Sequence, residues 1–253
     1  MLINARHLAD LTSAELPTMV KHSTVVWGVG SIEQHGPHLP LSVDLDIAAA
    51  LCEAVAARLD NAYLAPAQTF GARSLPQSGG GLFYPGTLYL TGSTLIDYLQ
   101  EIITGLAQLE CSHLLIINGH YENEAFLFEA IDHCRQAGQL THTRVSAFSW
   151  WSLVQTDWIS QHIGPRFPGW HAEHAGLTET SLMLYLRPDV VRVERPVHDN
   201  PPLSGLYSHP ADPDMTSNNG VLSSTLGSSM ELGKALFEHV VEQVLKHATH
   251  QTT

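Results

Sequence analysis

Two short stretches carry most of the chemistry in this sequence. The first is Gly30-Ser31-Ile32-Glu33-Gln34-His35-Gly36-Pro37-His38-Leu39-Pro40, followed by Asp44. The second is Asn118-Gly119-His120-Tyr121-Glu122-Asn123. Glu33 and His35 stand two positions apart, and an extended segment puts such a pair on one face. His120 and Glu122 repeat the arrangement. With Asp44, the stretches offer two imidazoles and three carboxylates, a nitrogen and oxygen donor set that suits zinc or manganese with no competing thiolate. Five ligands exceed what one open catalytic zinc uses. They suit two divalent ions sharing a carboxylate, about 3.5–4 Å apart. A single Glu or His after a strand is usually a solvated loop residue, so the clustering carries the inference. His38 reads as a supporting or structural neighbour.

A third stretch, Gly169-Trp170-His171-Ala172-Glu173-His174-Ala175-Gly176-Leu177-Thr178-Glu179-Thr180, sets acid and base groups beside an aromatic ring. Its order is not that of an HExxH zinc motif. His174 can shuttle a proton, with Glu173 or Glu179 orienting it. The competing reading is a helix start capped by Thr178 or Glu179. Gly28-Val29-Gly30 begins like a dinucleotide fingerprint, but Glu33 stands where the third glycine belongs and would repel a pyrophosphate. No GxSxG elbow occurs, so a serine hydrolase of that type is not supported.

These residues need elements to position them. Thr24 to Gly30 is a short apolar run ended by glycine, a buried strand. Asp46 to Leu59 has helical spacing, and Ala62 to Pro66 reads as a strand. A Gly- and Pro-rich stretch spans 71–87. Ser93 to Leu109 predicts a helix capped by Ser93 or Thr94. His113 to Ile117 is the clearest buried strand, Glu122 to Gln136 a helix, and Arg144 to Phe148 a further strand. Leu177 to Leu186 and Ser228 to Lys246 predict helices, while 196–226 reads as an ordered loop or oligomer contact. Both ligand stretches therefore follow strands, where open α/β sheets bind ligands. Alternating strands and helices argue for a parallel or mixed sheet with helices on both faces.

The bulk properties agree. A chain of 253 residues, 44% hydrophobic and 15% charged, can bury a sizeable core and is not disordered. Its net charge of −13 disfavours nucleic acid. The three cysteines, Cys52, Cys111 and Cys134, suggest neither a disulfide framework nor a CxxC site, which fits a reducing cytoplasm. No signal peptide is evident. No run approaches the roughly 18–20 apolar residues that span a bilayer.

At the residues quoted above the sequence resembles the creatininase family, the creatinine amidohydrolases. The match rests on Gly30 to Pro40 with Asp44, on Asn118 to Asn123, and on Glu173-His174-Ala175-Gly176 with Glu179 to Leu184. Ser78-Gly79-Gly80-Gly81, Phe83, Pro85-Gly86-Thr87 and Gly169-Trp170 resemble the branch that gives the family its name. The resemblance implies an α/β fold: one three-layer domain over 1–253, with a mostly parallel central sheet flanked by helices. It implies two divalent ions per subunit, Zn2+ and/or Mn2+, in a homohexamer (a trimer of dimers) acting on a small molecule; the bulk properties above add the expectation of a cytoplasmic protein with no nucleic-acid or membrane partner. Carried over, Glu33 and His120 hold one ion, His35 and Glu122 the other, and Asp44 bridges. His174 matches the acid/base residue, with Glu122 and Glu173 beside it as catalytic carboxylates. Ser78, Tyr121, Trp151 and Trp170 match substrate contacts.

His171 stands where the name-giving branch has Asp, and Trp150-Trp151 replaces a Tyr-Trp pair. An acid at 171 suits a cationic, guanidine-like ligand better than an imidazole does. The expected activity is hydrolysis of creatinine to creatine, or opening of a related cyclic amide. One alternative is another substrate (a formamide, a peptide or a ring ketone). A second is a non-catalytic protein that binds metal or a small ligand.

Overall fold

The computed structural model describes residues 5–197, 209–210 and 219–249. Four strands, β1 (Thr24–Val29), β2 (Ala62–Leu64), β3 (His113–Asn118) and β4 (Arg144–Ser149), form one sheet in the order β2-β1-β3-β4. All three pairings are parallel, so the expected mostly parallel sheet is wholly parallel here. The apolar runs of β1 and β3 are what such a sheet requires, since both faces are covered.

Side chains alternate between those faces. Val26, Leu115 and Ile117 join one core with helices α1 (Val43–Ala56), α4 (Leu177–Leu186) and α5 (Met230–Thr249). Val25, Trp27, Leu114 and Ile116 join the other with α2 (Gly92–Ala107) and α3 (Asn123–Gln136). The result is the expected three-layer α/β arrangement. Truncating a fully buried residue such as Ile116 to Ala would cost about 2–5 kcal/mol.

Several boundaries differ from the sequence reading. Helix α1 begins at Val43, before Asp46, so Asp44 lies in its first turn. Helix α2 is preceded by Thr91, whose hydroxyl meets those of Ser93 and Thr94; neither Ser93 nor Thr94 is the cap residue. Most of the loop expected over 196–226 lies outside the described residues. The cysteines at 52, 111 and 134 are buried free thiols. Among the described residues no helix is long and apolar enough to cross a membrane.

The topology leaves a switch point. From β1 the chain passes outward to β2, then crosses back to add β3 on the other side of β1. Loops leaving the carboxyl ends of β1 and β3 diverge there and open a crevice.

Candidate metal centre

Register brings the two ligand stretches together. Val29 is paired with Asn118, so the segments after both strands emerge side by side. Helix α1 then packs against them because two positions lack side chains. A Cβ on Gly119 would sit 2.2 Å from the Asp44 carbonyl oxygen, and one on Gly30 would sit 2.5 Å from Leu45 Cα. That approach sets Asp44 beside both strand ends. Asn118 shapes the second turn: its Oδ1 accepts from His120 N–H at 3.1 Å, and its Nδ2 donates to His120 O at 2.7 Å.

The two histidines are held alike. His35 Nδ1 donates to the Glu33 carbonyl at 3.1 Å, and His120 Nε2 donates to the Ala72 carbonyl at 2.9 Å. These backbone acceptors fix each tautomer and leave the other nitrogen for the centre. His35 Nε2 lies 3.2 Å from Asp44 Oδ1, and His120 Nδ1 lies 3.0 Å from Asp44 Oδ2. One carboxylate thus faces both rings. Glu33 Oε2 is 3.1 Å from His120 Nδ1, and Glu179 Oε2 is 3.7 Å from His35 Nε2. Three groups of side chains could hold a cation: Glu33 with Asp44 and His120, His35 with Asp44 and Glu179, and Glu33 with His35 and His174. His174 also approaches Glu33 and His35, its ring centroid 4.4 Å from that of His35.

These atoms fit divalent cations. Glu33 Oε1, His35 Nε2 and Asp44 Oδ2 are buried without a hydrogen-bond partner. His35 Nε2 and Asp44 Oδ2 meet their neighbours at ion-pair distance but off hydrogen-bond angles, as ligand atoms do when they converge on a shared centre. Ligands about 2.0–2.1 Å from a tetrahedral zinc stand about 3.3 Å apart, close to the separations seen. Three buried carboxylates also need positive charge nearby, because removing each from water costs several kcal/mol.

The protonation pattern reports the same crowding. Burial opposes the charged form of His35, but Asp44, Glu179 and Glu33 outweigh it and raise the ring to about 10. His120 is raised well above the ordinary imidazole range by Glu33 and Asp44, again against burial. Asp44 and Glu33 are held below the usual carboxylate range by the facing imidazoles, despite burial. Burial, with Asp44 adding to it, pushes Glu179 to about 8. His174 goes the other way: burial lowers it to about 4, so the ring is neutral.

Of the five expected ligands, Glu33, His35, Asp44 and His120 converge. Glu122 stands on the other side of the His120 ring, its Oε2 3.4 Å from Nε2, while its Oε1 accepts from Ser78 Oγ and from Leu75 N–H. Glu179 was weighed only as a cap or an orienting group. Its first-turn position on a helix buried from Leu177 through Met183 was the available signal, because a carboxylate there has no route to solvent. The start of α4 is tied by two carboxylates: Glu179 Oε2 reaches back to accept from Ala175 N–H at 2.6 Å, while Glu173 Oε1 accepts from Thr178 N–H and its Oε2 from Ser223 Oγ at 2.7 Å.

A narrow cleft opens over this floor. Ser78, Tyr121, Glu122, Trp151, Trp170, His171, Glu173 and His174, the expected catalytic and substrate residues, all line it. Trp150 stands edge-on to Trp151 and Trp170, with centroids 5.6 and 5.4 Å away, and Tyr121 stacks on Trp151 at 5.8 Å. His171 is exposed at the rim.

Comparison with known proteins identifies relatives of the chain. The sequence profile of the family described as creatininase, creatinine amidohydrolase, matches residues 9–248. The chain is 39% identical over 222 residues to a creatinine amidohydrolase from Pseudomonas putida, covering 85% of both chains. It is 30% identical over 242 residues to a mycofactocin precursor peptide peptidase from Mycolicibacterium smegmatis, covering 92% of this chain and 87% of that one. Among solved structures, a manganese creatininase superimposes with a TM-score of 0.89 at 36% identity, over 98% of each chain. A zinc–zinc form of a creatininase mutant gives 0.87 at 36% identity, over 97% of each.

Proposed function

The chain belongs to the creatininase family of amidohydrolases, and on that premise we propose that it opens the ring of creatinine, or of a closely related small cyclic amide, by adding water across a C–N bond. The observation that carries the reading is the Asp44 carboxylate shared between His35 and His120 at the floor of an aromatic-walled pocket. In this reading Glu33, Asp44 and His120 hold one divalent cation, and His35, Asp44 and Glu179 hold the second. Glu179 takes the position that the resemblance gives to Glu122. Zinc and manganese both suit these donors. When bound, such a pair supplies Lewis acidity and lowers the pKa of water toward neutrality.

The remaining work falls to the chain's own groups. His174, neutral at working pH, takes a proton from the attacking water and delivers it to the leaving nitrogen as the C–N bond breaks. Glu122, hydrogen-bonded by Ser78, is a second proton carrier at the pocket edge. Trp151 and Trp170 cover a planar ring and exclude water. Glu173 acts through α4, whose start it ties down, and so steadies both His174 and Glu179. His171 meets the polar edge of the substrate. The same reading takes 1–253 as one domain in a homohexamer, which light scattering would check.

The test is turnover of creatinine to creatine by purified, metal-analysed protein. The expected result is metal-dependent formation of creatine. A metal-loaded protein inert toward creatinine and its cyclic relatives would overturn the reading. His171 favours one second reading, a different amide substrate such as a peptide, as the name of the M. smegmatis relative suggests. Peptide cleavage without creatinine turnover would establish it.

A further inference from the structure

Gln34 sits between two residues of the metal floor and directs its amide to three separate loops. Its Nε2 donates to the carbonyls of Gly79 and Gly220, the latter at 3.0 Å, and its Oε1 accepts from Gly36 N–H at 2.9 Å. These partners settle which end of the amide is which. A flipped amide would press its oxygen against two carbonyl oxygens and its nitrogen against an N–H. An amide nitrogen has two hydrogens, and both are engaged.

His174 Nε2 lies 3.0 Å from this amide nitrogen and 3.0 Å from the Gln34 backbone carbonyl. The amide nitrogen has no hydrogen left to give and no lone pair to accept with. The carbonyl only accepts. His174 Nε2 must therefore carry a hydrogen and donate it to Gln34 O. No hydrogen bond to another described residue engages His174 Nδ1.

The structure assigns Gln34 as a positioning residue for His174: it holds the ring in the tautomer with hydrogen on Nε2 and leaves the lone pair on Nδ1. The assignment rests on the role proposed above for His174. Nδ1 is then the atom that takes one proton from water as the C–O bond forms. It returns that proton to the amide nitrogen as the C–N bond breaks, so water adds OH to carbon and H to nitrogen.

Neutron diffraction from D2O-exchanged crystals of the metal-loaded protein tests the tautomer directly. The expected map has a deuteron on His174 Nε2 and none on Nδ1. A deuteron on Nδ1 overturns the assignment. This readout needs no turnover, so it stands even if creatinine proves not to be the substrate. Gln34→Met keeps the backbone carbonyl that accepts from His174 but removes the amide contacts to Gly36, Gly79 and Gly220 that fix where that carbonyl stands. The expected effect is a fall in kcat on creatinine of about tenfold or more, as for a misoriented reacting group, with KM and metal content unchanged. Loss of metal, or a higher KM at unchanged kcat, overturns the positioning role.

Discussion

The floor of the pocket carries Glu33, His35, Asp44, His120 and Glu179, none more than 7% exposed, on the segments that follow β1 and β3 and on the first turns of two helices. The wall carries Tyr121, Trp151 and Trp170 on turns and short 3₁₀ segments, and Tyr121 is 51% exposed. Floor positions follow from parallel register and close helix packing, and their buried charge needs cations. Wall positions depend on aromatic contacts between loops. The difference assigns reaction chemistry to the rigid part and substrate choice to the adjustable part, the usual division between scaffold and loop.

The comparison is most easily broken at Asp44. Asp44→Asn keeps the shape but removes the charge shared by both rings. Both cations should be lost and turnover should fall at least about 10³-fold, roughly 4 kcal/mol in the barrier; metal analysis beside kinetics would check this. Removal of the proton carriers should separate chemistry from metal. His174→Asn and Glu122→Gln should each keep two cations while turnover falls about 10²–10³-fold. Loss of metal from Glu122→Gln would return Glu122 to the floor.

Metal uptake by stripped protein should depend on pH. His35 is held protonated up to about 10, and His120 is raised as well. Each ring must shed its proton to bind a cation. Zinc should therefore bind more tightly near pH 8 than near pH 6, by about tenfold per pH unit for each proton displaced. Without metal the sign is opposite for stability. The raised His35 stabilises the stripped fold below about pH 6.5, and that contribution is lost as pH rises toward 10. Thermal melts of stripped protein across this range, beside the zinc titrations, would test both signs. The smallest effect belongs to the wall. Trp170→Ala should leave metal content unchanged and lower kcat/KM on creatinine by about tenfold, the order of one lost aromatic contact.

Much of the floor was legible because strand-end spacing puts Glu33 with His35 on one side and His120 on the other, and alternating apolar runs placed β1 and β3. Asp44 was legible as a carboxylate just after the first stretch, though its place in the first turn of α1 was not. Glu179 was harder to read because nothing in local spacing links it to His35, 144 positions earlier; α4 packs against α1 only through tertiary contact. Gln34 was unreadable for a similar reason, since its partners Gly79, His174 and Gly220 lie on three other segments. The start of α4 was legible in part: Glu179 bonds back to Ala175 N–H, but Glu173 reaches Thr178 N–H across a tight turn with Ala175 at a φ of 55°, which local spacing does not show. The wall aromatics follow no period, and only family resemblance singled them out.

Anomalous scattering from crystals grown with zinc tests the shared carboxylate most directly. Two peaks per chain are expected on either side of Asp44, one held with Glu33 and His120 and the other with His35 and Glu179. A single peak, or a second peak held by Glu122 with no contact to Glu179, would contradict that arrangement.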